Sequence, residues 1–415
     1  MLTSLAFIFL VGLAAAGICQ RLKMPRILGM LATGIVLGPY VLDLLDSSIL
    51  GISGDLRQMA LIIILLKAGL ALDLSDLKKV GRPAVLMSFL PASFEILAYI
   101  LFAPALLGIT RTEAAVMGAV LGAVSPAVVI PRMVQLIEER YGTEKSIPQM
   151  ILAGASCDDI FVIVLFTTFL EMSQGGQVRS ADFVSIPVSI ILGIAAGSAA
   201  GWLLSLFFET EYRWNHYIRN SMKVIIILGI SFLLVAAEDW LEGRLPISGL
   251  LAVVSMACVM KIRSTKFVAG RLSEKFGKLW LAAEVMLFVL VGAAVDIRYM
   301  AQAGPKAVAM IFSALIIRAA GVFLCMLGTN LNLKERMFCI LAYLPKATVQ
   351  AAIGSVPLSM GLPCGQIVLS VAVLAIIITA PLGALGMDFT YRRLLFKQSQ
   401  DIIKQEKENH LREGV

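Results

Sequence analysis

The sequence predicts an all-α protein that crosses a membrane about thirteen times. Composition is the first observation behind this prediction: of the 415 residues, 59% are hydrophobic and 15% are charged, and the mean hydropathy is +0.89. Soluble globular proteins carry about 25% charged residues, so this composition excludes a soluble fold. The apolar stretches and the positions of the basic residues are the other two observations. Because the connections are short, we expect no separate soluble enzyme or nucleotide-binding domain.

Apolar stretches long enough for membrane-spanning helices recur along the whole chain. A helix needs about 20 predominantly apolar residues to cross the hydrocarbon core of a bilayer. The predicted spans are residues 1–19, 26–41, 56–73, 83–108, 112–135, 148–172, 183–208, 222–240, 246–261, 276–295, 304–328, 335–358 and 363–388. The six cysteines lie in or at the edges of these stretches without metal-ligand spacing. We therefore predict no disulfide framework, no metal site and no other cofactor.

The basic residues divide unevenly between the two sides of the predicted membrane. With the N-terminus outside, the cytoplasmic loops and the tail hold 26 of the 35 Lys and Arg residues, and the outer loops hold six. Cytoplasmic loops of membrane proteins carry such an excess of Lys and Arg. The formal net charge of +7 therefore indicates topology in a cell (plasma or inner) membrane, with a cytoplasmic C-terminus. It does not require a nucleic-acid partner.

Two of the predicted spans carry prolines in matching positions. Six spans, one linking span near 183–208 and six further spans form an inverted repeat, because the odd linking span reverses the sense of the second six. Transporters of this kind bind substrate at interrupted helices near the middle of the bilayer. The fifth span of each half contains such an interruption, at Pro126 and at Pro345. Proline has no N–H to donate and clashes with the preceding turn, so we expect both helices to break there.

Ionisable residues also lie inside the predicted spans. They are Lys67, Glu95, Asp158, Asp159, Glu284, Arg318 and Lys346. Each costs about 2.5–3.5 kcal/mol at the centre of a helix, so these residues must pair, titrate or bind something. Lys67 lies near the end of its span, and we expect it to extend to the interface. For Glu284, pairing and an accessory ion path are both open.

Glu95 and Arg318 occupy the fourth span of each half. This matching position predicts a structural ion pair across the interface between the repeats. Loss of either partner would leave a buried charge and cost about 3–5 kcal/mol.

Asp158 and Asp159 are adjacent in the apolar centre of the sixth span. Neighbouring residues of a helix point about 100° apart, so one aspartate can be structural while the other stays free. Lys346, beside the second break, is the expected counter-ion of one aspartate, and its charge also compensates the exposed helix ends. Ser125 and Ser156 are candidate cation ligands; for Ser156, packing through a small side chain is the alternative.

A free carboxylate in the middle of the membrane can bind a proton or a small cation, but hardly both. Desolvation favours the neutral form, whereas Na⁺ or Li⁺ requires the ionised form. Competition of this kind is antiport. The site must then face one side of the membrane at a time, which predicts alternating access.

Several segments carry a resemblance to a known family. Met24–Pro39 is similar to an early helix of the cation/proton antiporter superfamily, and Asp158 with Asp159 resembles the paired aspartates of its electrogenic branch. Four further segments are similar to the sodium/hydrogen exchanger subfamily B, the animal NHA exchangers and their bacterial relatives: Leu65–Asp73, Gly122–Val129, Cys157–Ile160 and Leu344–Gly354. The resemblance runs from about residue 20 to residue 390.

The resemblance implies an NhaA-like antiporter fold with thirteen spans and two crossing broken helices, working as an elevator-like homodimer. It implies that Asp159 is the principal carrier of cation and proton, that Asp158 pairs with Lys346, and that Glu95 and Arg318 form a core ion pair. The implied parts are dimerisation-domain helices at 1–82 and 211–300, a core transport domain at 83–175 and 301–390, a linker helix at 176–210 and a cytosolic tail at 391–415.

One departure from the family pattern concerns the first break. Ser125 stands where many relatives have a Thr-Asp motif, so no acid compensates the helix ends there and we expect that task to fall on Lys346. The number of protons per cation therefore stays open, because paired aspartates suggest two while some members of the subfamily are electroneutral.

The function that the sequence predicts is Na⁺ or Li⁺ exchange for H⁺ in a lipid bilayer, without catalytic residues. A K⁺/H⁺ antiporter of the same superfamily is the nearest alternative. A sodium-coupled organic anion symporter is a further one, although Lys346 beside the two aspartates disfavours it. An intramembrane enzyme would have its catalytic acids on separate spans or near an interface, and here they are adjacent.

Overall fold

The computed structural model describes residues 1–22, 24–71, 81–174, 182–213, 219–241, 247–264 and 266–397. These residues form helices and contain no β-strand apart from one isolated bridge between Tyr141 and Lys397. The helices up to the middle of the chain are α1 (Leu2–Arg21), α2 (Arg26–Leu37), α3 (Ser47–Gly51), α4 (Ser53–Ala71), α5 (Arg82–Met87), α6 (Leu90–Leu107), α7 (Arg111–Gly122), α8 (Pro126–Glu139), α9 (Ile147–Gln174) and α10 (Asp182–Arg213).

The remaining helices begin at residue 220. They are α11 (Asn220–Leu241), α12 (Gly249–Arg263), α13 (Lys266–Ala293), α14 (Ile297–Cys325), α15 (Leu333–Ala342), α16 (Thr348–Gly354), α17 (Val356–Ser359) and α18 (Gly365–Leu394). The all-α prediction is therefore confirmed for the described part of the chain.

Nine stretches of the described residues are long and apolar enough to cross a membrane. These helices are those of a multi-pass membrane protein. Four predicted spans are not among the nine. Two of these spans hold helices that are too short, α2 in the span 26–41 and the 15-residue α12 in the span 246–261. The span 56–73 holds α4, which carries three charged residues, Asp55, Arg57 and Lys67. The span 335–358 is divided into α15, α16 and α17. The number of thirteen spans and the inverted repeat stay predictions.

The chain leaves helical geometry at both places where the prolines predict it. α7 ends at Gly122 and α8 begins at Pro126, while α15 ends at Ala342 and α16 begins at Thr348. Both interrupted segments start with a capping box, formed by Thr110 with Glu113 in α7 and by Asn332 with Glu335 in α15. In each box the two side chains satisfy the first free N–H groups of the helix.

The broken helices are held by the helices that carry the buried charges. α6, which contains Glu95, packs against α7 and against α14, which contains Arg318. α9, with Asp158 and Asp159, packs against both α7 and α8, and α18 packs against α15 and α16. On another side, α13 packs against α2 and α4. The breaks therefore lie where several helices meet, and α4 reaches them from the side of α13.

α2 and α13 approach each other closely at glycines. A Cβ added to Gly34 would meet the backbone carbonyl of Val289, and one added to Gly292 would meet the backbone carbonyl of Leu31. Small residues allow helix backbones to approach closely in membranes. The contact depends on backbone atoms, which cannot turn aside as a flexible side chain can.

We predict that Gly34→Ala lowers the thermal stability of the purified protein in detergent. Overpacking of this kind costs about 1–3 kcal/mol, and here the obstacle is backbone. Gly17→Ala is the matched control, because a Cβ at Gly17 meets nothing within 4 Å and alanine is the better helix former. Unfolding midpoints from a fluorescence melt measure the difference. Equal midpoints for the two variants would contradict the close packing of α2 on α13.

Candidate functional site

The two breaks contact each other at the centre of the molecule. The backbone N–H of Ser125 donates to the carbonyl of Pro345 over 2.8 Å. The side chain of Gln350 connects the same two segments, since its amide donates to the carbonyl of Ala123 over 2.8 Å while its oxygen accepts from the N–H of Ala347 over 2.7 Å. The backbone groups that the prolines release are thus satisfied within the protein, as a site shielded from water requires.

Side chains from neighbouring helices satisfy two further backbone N–H groups of the breaks. The N–H of Val124 donates to Oδ2 of Asp158 over 2.8 Å, and the N–H of Lys346 donates to the hydroxyl of Thr379 over 2.9 Å. The sequence reasoning missed Gln350 and Thr379. Their only signal is a polar residue within an otherwise apolar predicted span.

Arg318 is the donor that most of the site shares. Its Nη1 donates to Oε2 of Glu95 over 2.6 Å and to the carbonyl of Gly122, its Nε donates to the carbonyl of Tyr343 over 2.8 Å, and its Nη2 lies 3.4 Å from Oδ2 of Asp158. The guanidinium therefore binds the C-terminal ends of both α7 and α15 as well as two carboxylates. The predicted contact between Glu95 and Arg318 is present, within a larger network.

Lys346 corrects one expectation. Its Nζ lies 2.5 Å from Oε2 of Glu95 and 3.2 Å from the carbonyl of Ala123, and the ion pairs of Asp158 in the described structure are with Arg318. The expected pair of Asp158 with Lys346 is therefore wrong, because the guanidinium occupies that side of Asp158. Lys346 contacts a carbonyl of the first break, as expected, and Arg318 and Gln350 also donate to carbonyls at the helix ends.

The four charges of this network balance. Glu95 and Asp158 are the acids, Arg318 and Lys346 are the bases, and each residue is at most 1% exposed. Burial of unpaired charge is expensive, whereas a balanced set with satisfied hydrogen bonds is tolerated. Glu95, Asp158, Arg318 and Lys346, which we term the central charge cluster, carry no net charge when all four are ionised.

Asp159 stands apart from the central charge cluster. It is 7% exposed, its Oδ1 is buried without a hydrogen-bond partner, and the described residues form no ion pair with it. It lines a small cavity of about 10 Å³. The cavity lies between α4 on one side and α9 and α16 on the other, and its remaining lining residues are Leu61, Ile64, Leu65, Ala68, Ile163, Val349, Ala352 and Ile353.

Two more buried oxygens, one beside the first break and one in α9, have no hydrogen-bond partner in the described structure. They are Oδ1 of Asp158 and the hydroxyl of Ser125, which is fully buried as the residue before α8. Oxygen atoms are the ligands that hard cations prefer, so these atoms and the Asp159 carboxylate form the candidate cation site. Ser156 lies in α9, but its side chain is outside the described residues. Pro126 is the first residue of α8, and Pro345 lies in the second break.

Glu284 and Lys67 lie away from this site. Glu284 is half-buried in α13, where the charges of Arg26 and Lys67 act on its carboxylate. The ammonium of Lys67 lies 5.7 Å from the centre of the Trp280 ring. Glu284 therefore has cationic neighbours, and its role as an accessory path stays a prediction.

Comparisons with known proteins agree with one family. The family model "Sodium/hydrogen exchanger, transmembrane" matches residues 5–390. The chain is 34% identical over 388 residues to sodium/hydrogen exchanger 9B2 of Homo sapiens, covering 90% of this chain and 70% of that protein. It is 31% identical over 386 residues to sodium/hydrogen exchanger 9B1 of Homo sapiens, covering 90% and 73%.

A solved structure has a similar fold. It is that of the sodium proton antiporter MjNhaP1 from Methanocaldococcus jannaschii, with a TM-score of 0.79 at 21% identity, covering 95% of this chain and 98% of that chain.

We predict that Arg318→Gln destabilises the protein strongly, because two buried carboxylates lose the guanidinium charge and two carbonyls lose the donor that Arg318 provides. Breaking a buried ion pair by removing one partner costs about 3–5 kcal/mol. The control is Lys278→Gln, whose exposed partner Glu274 lies 2.7 Å away and whose pair is worth about 0–1 kcal/mol. Melting in detergent compares the two. An Arg318→Gln protein that melts at the same temperature as the control would refute the role of Arg318 as a shared donor.

Proposed function

This chain belongs to the sodium/hydrogen exchanger family, and from that premise we propose that it exchanges Na⁺ or Li⁺ for H⁺, with both ions competing for the Asp159 carboxylate. Membership of the family implies a cation and protons as substrates within a membrane. The competition at Asp159 is the finer step, and the residues of the site support it.

One observation carries this proposal: Asp159 is the buried acid of the site that lacks a basic partner. Asp158 accepts from the N–H of Val124 and is paired with Arg318, so its charge is already balanced. Among the described residues, no basic side chain pairs with Asp159, and its Oδ1 has no hydrogen-bond partner. In a site of low dielectric constant, such a carboxyl group must hold a proton or bind a cation. Binding of one ion then releases the other.

The neighbouring oxygens suit a small monovalent cation. Ser125 follows Val124, whose N–H is bonded to Asp158, and Asp158 is adjacent to Asp159 in α9. A cation at Asp159 therefore has the free oxygens of Asp158 and Ser125 as candidate ligands. Their hydrogen-bonding capacity is unused in the described structure.

Alternating access follows from the two walls of the Asp159 cavity. We propose that α9 and α16, within a core transport domain of residues 83–175 and 301–390, move against α4, within dimerisation-domain helices of residues 1–82 and 211–300. Residues 176–210 link the two halves. The N-terminus faces outward, the C-terminus faces the cytoplasm of a cell membrane, and the protein is a homodimer. The position of Asp159 between these walls supports such a motion, because sliding one wall changes the side to which the carboxylate opens.

The charge balance of the site also bears on stoichiometry. The two acids and two bases of the central charge cluster neutralise each other, and only Asp159 gains or loses a proton without a fixed counter-charge. We therefore propose exchange of one proton for one cation, which moves no net charge. Two protons per cation would require Asp158 to titrate as well, and its pairing with Arg318 opposes that.

We predict that Asp159→Asn abolishes exchange, because asparagine neither ionises nor carries a proton at this position. In proteoliposomes with a pH gradient, Na⁺ or Li⁺ should collapse the gradient for the original protein and for Lys278→Gln, while Asp159→Asn should match the leak of empty liposomes. Na⁺ at about 100 times its dissociation constant should also stabilise the folded protein by ~2.7 kcal/mol. That gain should be absent in Asp159→Asn. The elution profile of this variant in size-exclusion chromatography, compared with that of the original protein, tests whether it is folded.

Other results would change the proposal. Na⁺-driven flux in Asp159→Asn would exclude this carboxylate as the carrier. Flux with K⁺ alone would indicate a K⁺/H⁺ antiporter. No proton movement with any of the three cations would favour the organic anion symporter or the intramembrane enzyme.

We further predict that exchange is independent of membrane potential. A roughly tenfold Na⁺ gradient should balance about one pH unit at zero net flux, because each decade of either ion corresponds to the same ~1.4 kcal/mol. The balance point is read with a pH-sensitive dye, with and without a potential set by valinomycin and K⁺. A balance point that shifts with the potential would show that more than one proton moves per cation.

A further inference from the structure

A funnel of about 550 Å³ lies beside the Asp159 cavity. Leu61 of α4 and Ala352 of α16 line both the funnel and the cavity, so the two spaces adjoin. One wall of the funnel is the N-terminal part of α4 and the other is the C-terminal part of α9, which contributes Phe166, Thr167, Leu170 and Glu171. The funnel therefore lies next to the cavity of Asp159, between two helices that the proposed function assigns to different domains.

Arg57 lines this funnel as an unpaired buried cation. Its side chain is 6% exposed, and its Nε and Nη1 are buried without an acceptor. Among the residues that the structure describes, no acid forms an ion pair with it. A buried guanidinium without a partner is costly, so a second conformation that supplies a carboxylate would be favoured.

The wall of the funnel that faces Arg57 carries a partly buried carboxylate, that of Glu171. Glu171 is half-buried, and within the part of the chain that the structure describes its Oε1 accepts from the hydroxyl of Ser189 over 3.1 Å. The other acids of the funnel are less suited to Arg57. Glu238 already accepts from the N–H of Gly249 over 2.8 Å, and Asp55 is exposed on the same helix as Arg57. Glu171 is thus the acid that lies across the funnel from Arg57, and no described basic side chain pairs with it.

The helix geometry gives the displacement that would join the two charges. The funnel meets the cavity at Leu61 on α4 and between Ile163 and Phe166 on α9. From that level, with 1.5 Å of rise per residue, Arg57 lies about 6 Å towards the mouth and Glu171 lies about 7–12 Å towards the mouth. Glu171 is therefore about 1.5–6 Å further out than Arg57. Movement of α9 inward along α4 by an amount in that range, up to about one helical turn, would bring the two side chains level.

We propose that Arg57 and Glu171 are positioning residues for the exchange cycle: they form an ion pair that closes this funnel when α9 moves inward. The inference rests on the proposed function, because it assumes that α9 moves against α4. In the open state both charges face the funnel, and in the closed state they neutralise each other across the route to Asp159. When the funnel closes, both the guanidinium of Arg57 and the carboxylate of Glu171 lose water. Their mutual attraction would offset this loss, so neither charge would be buried without a partner.

Cross-linking tests whether the two positions meet. The six native cysteines are first replaced, and Arg57→Cys is combined with Glu171→Cys. A disulfide requires Cβ atoms about 3.5–4.5 Å apart, so an oxidant should link this pair in membranes. The matched control combines Met59→Cys with Glu171→Cys, because Met59 lies on the same helix but does not line the funnel. Absence of the link in the first pair, or equal linking in both pairs, would overturn the proposal.

Charge exchange tests the ion pair itself. A membrane-impermeant thiol reagent should modify Ala352→Cys faster in Arg57→Gln and in Glu171→Gln, by about fivefold, the population shift that corresponds to ~1 kcal/mol. The double variant Arg57→Glu with Glu171→Arg should restore the slow rate, which a merely structural role would not do. Ser359→Cys, exposed at the mouth of the funnel, should react equally in all variants and identifies the side for adding reagent.

The remaining outcomes are also decisive. Unchanged labelling in the single variants, or a charge-exchanged double variant that labels as fast as they do, would refute the ion pair. Labelling that depends on chloride in the original protein but not in Arg57→Gln would show that Arg57 holds a small anion instead. Neither assay measures exchange. A cross-link that persists while Asp159→Asn retains full flux would overturn the proposed function and leave the funnel pair in place.

Discussion

The buried guanidinium of Arg318 is the interaction on which the rest of the site depends. Two interrupted helices in a membrane leave carbonyl groups that water cannot satisfy. Arg318 donates to the carbonyls of Gly122 and Tyr343, one at the end of each interrupted helix, and reaches the carboxylates of Glu95 and Asp158. Arginine suits this position because its planar group presents five N–H donors in fixed directions and stays charged. Without it, the two breaks could not meet in an apolar interior.

Because Arg318 pairs with Asp158 and not with Asp159, the two adjacent aspartates have different electrostatic environments. Asp158 receives the guanidinium and the N–H of Val124 on one oxygen, and its charge thereby becomes part of a neutral cluster. Asp159 points elsewhere because neighbouring residues of a helix differ by about 100° in direction. It lines the cavity against α4 and shares none of these donors. Two chemically identical side chains thus differ in function, since only one of them has its charge balanced by the fold.

The sequence predicted those features that follow from local chemistry. Proline breaks a helix wherever it lies in the interior, so Pro126 and Pro345 indicated both interruptions, and adjacent aspartates in an apolar stretch indicated an ion site. The sequence did not indicate which of the buried charged residues pair with each other. Lys346 pairs with Glu95, which lies 251 positions away in the chain, and no local pattern encodes that choice. Gln350 was missed for the same reason: its two hydrogen bonds exist only once the two breaks meet.

Paired and unpaired charges divide the molecule into parts that stay together and parts that can move. The central charge cluster joins helices α6, α9 and α14 to both breaks, and separating any of them would strand a buried charge. Asp159, Arg57 and Glu171 lie instead on surfaces that face each other across the funnel and its cavity, where no ion pair joins them in the described structure. A transport protein needs both arrangements. Strong pairing throughout would hold α9 against α4 in one position, whereas charges that change partner allow two positions of similar free energy.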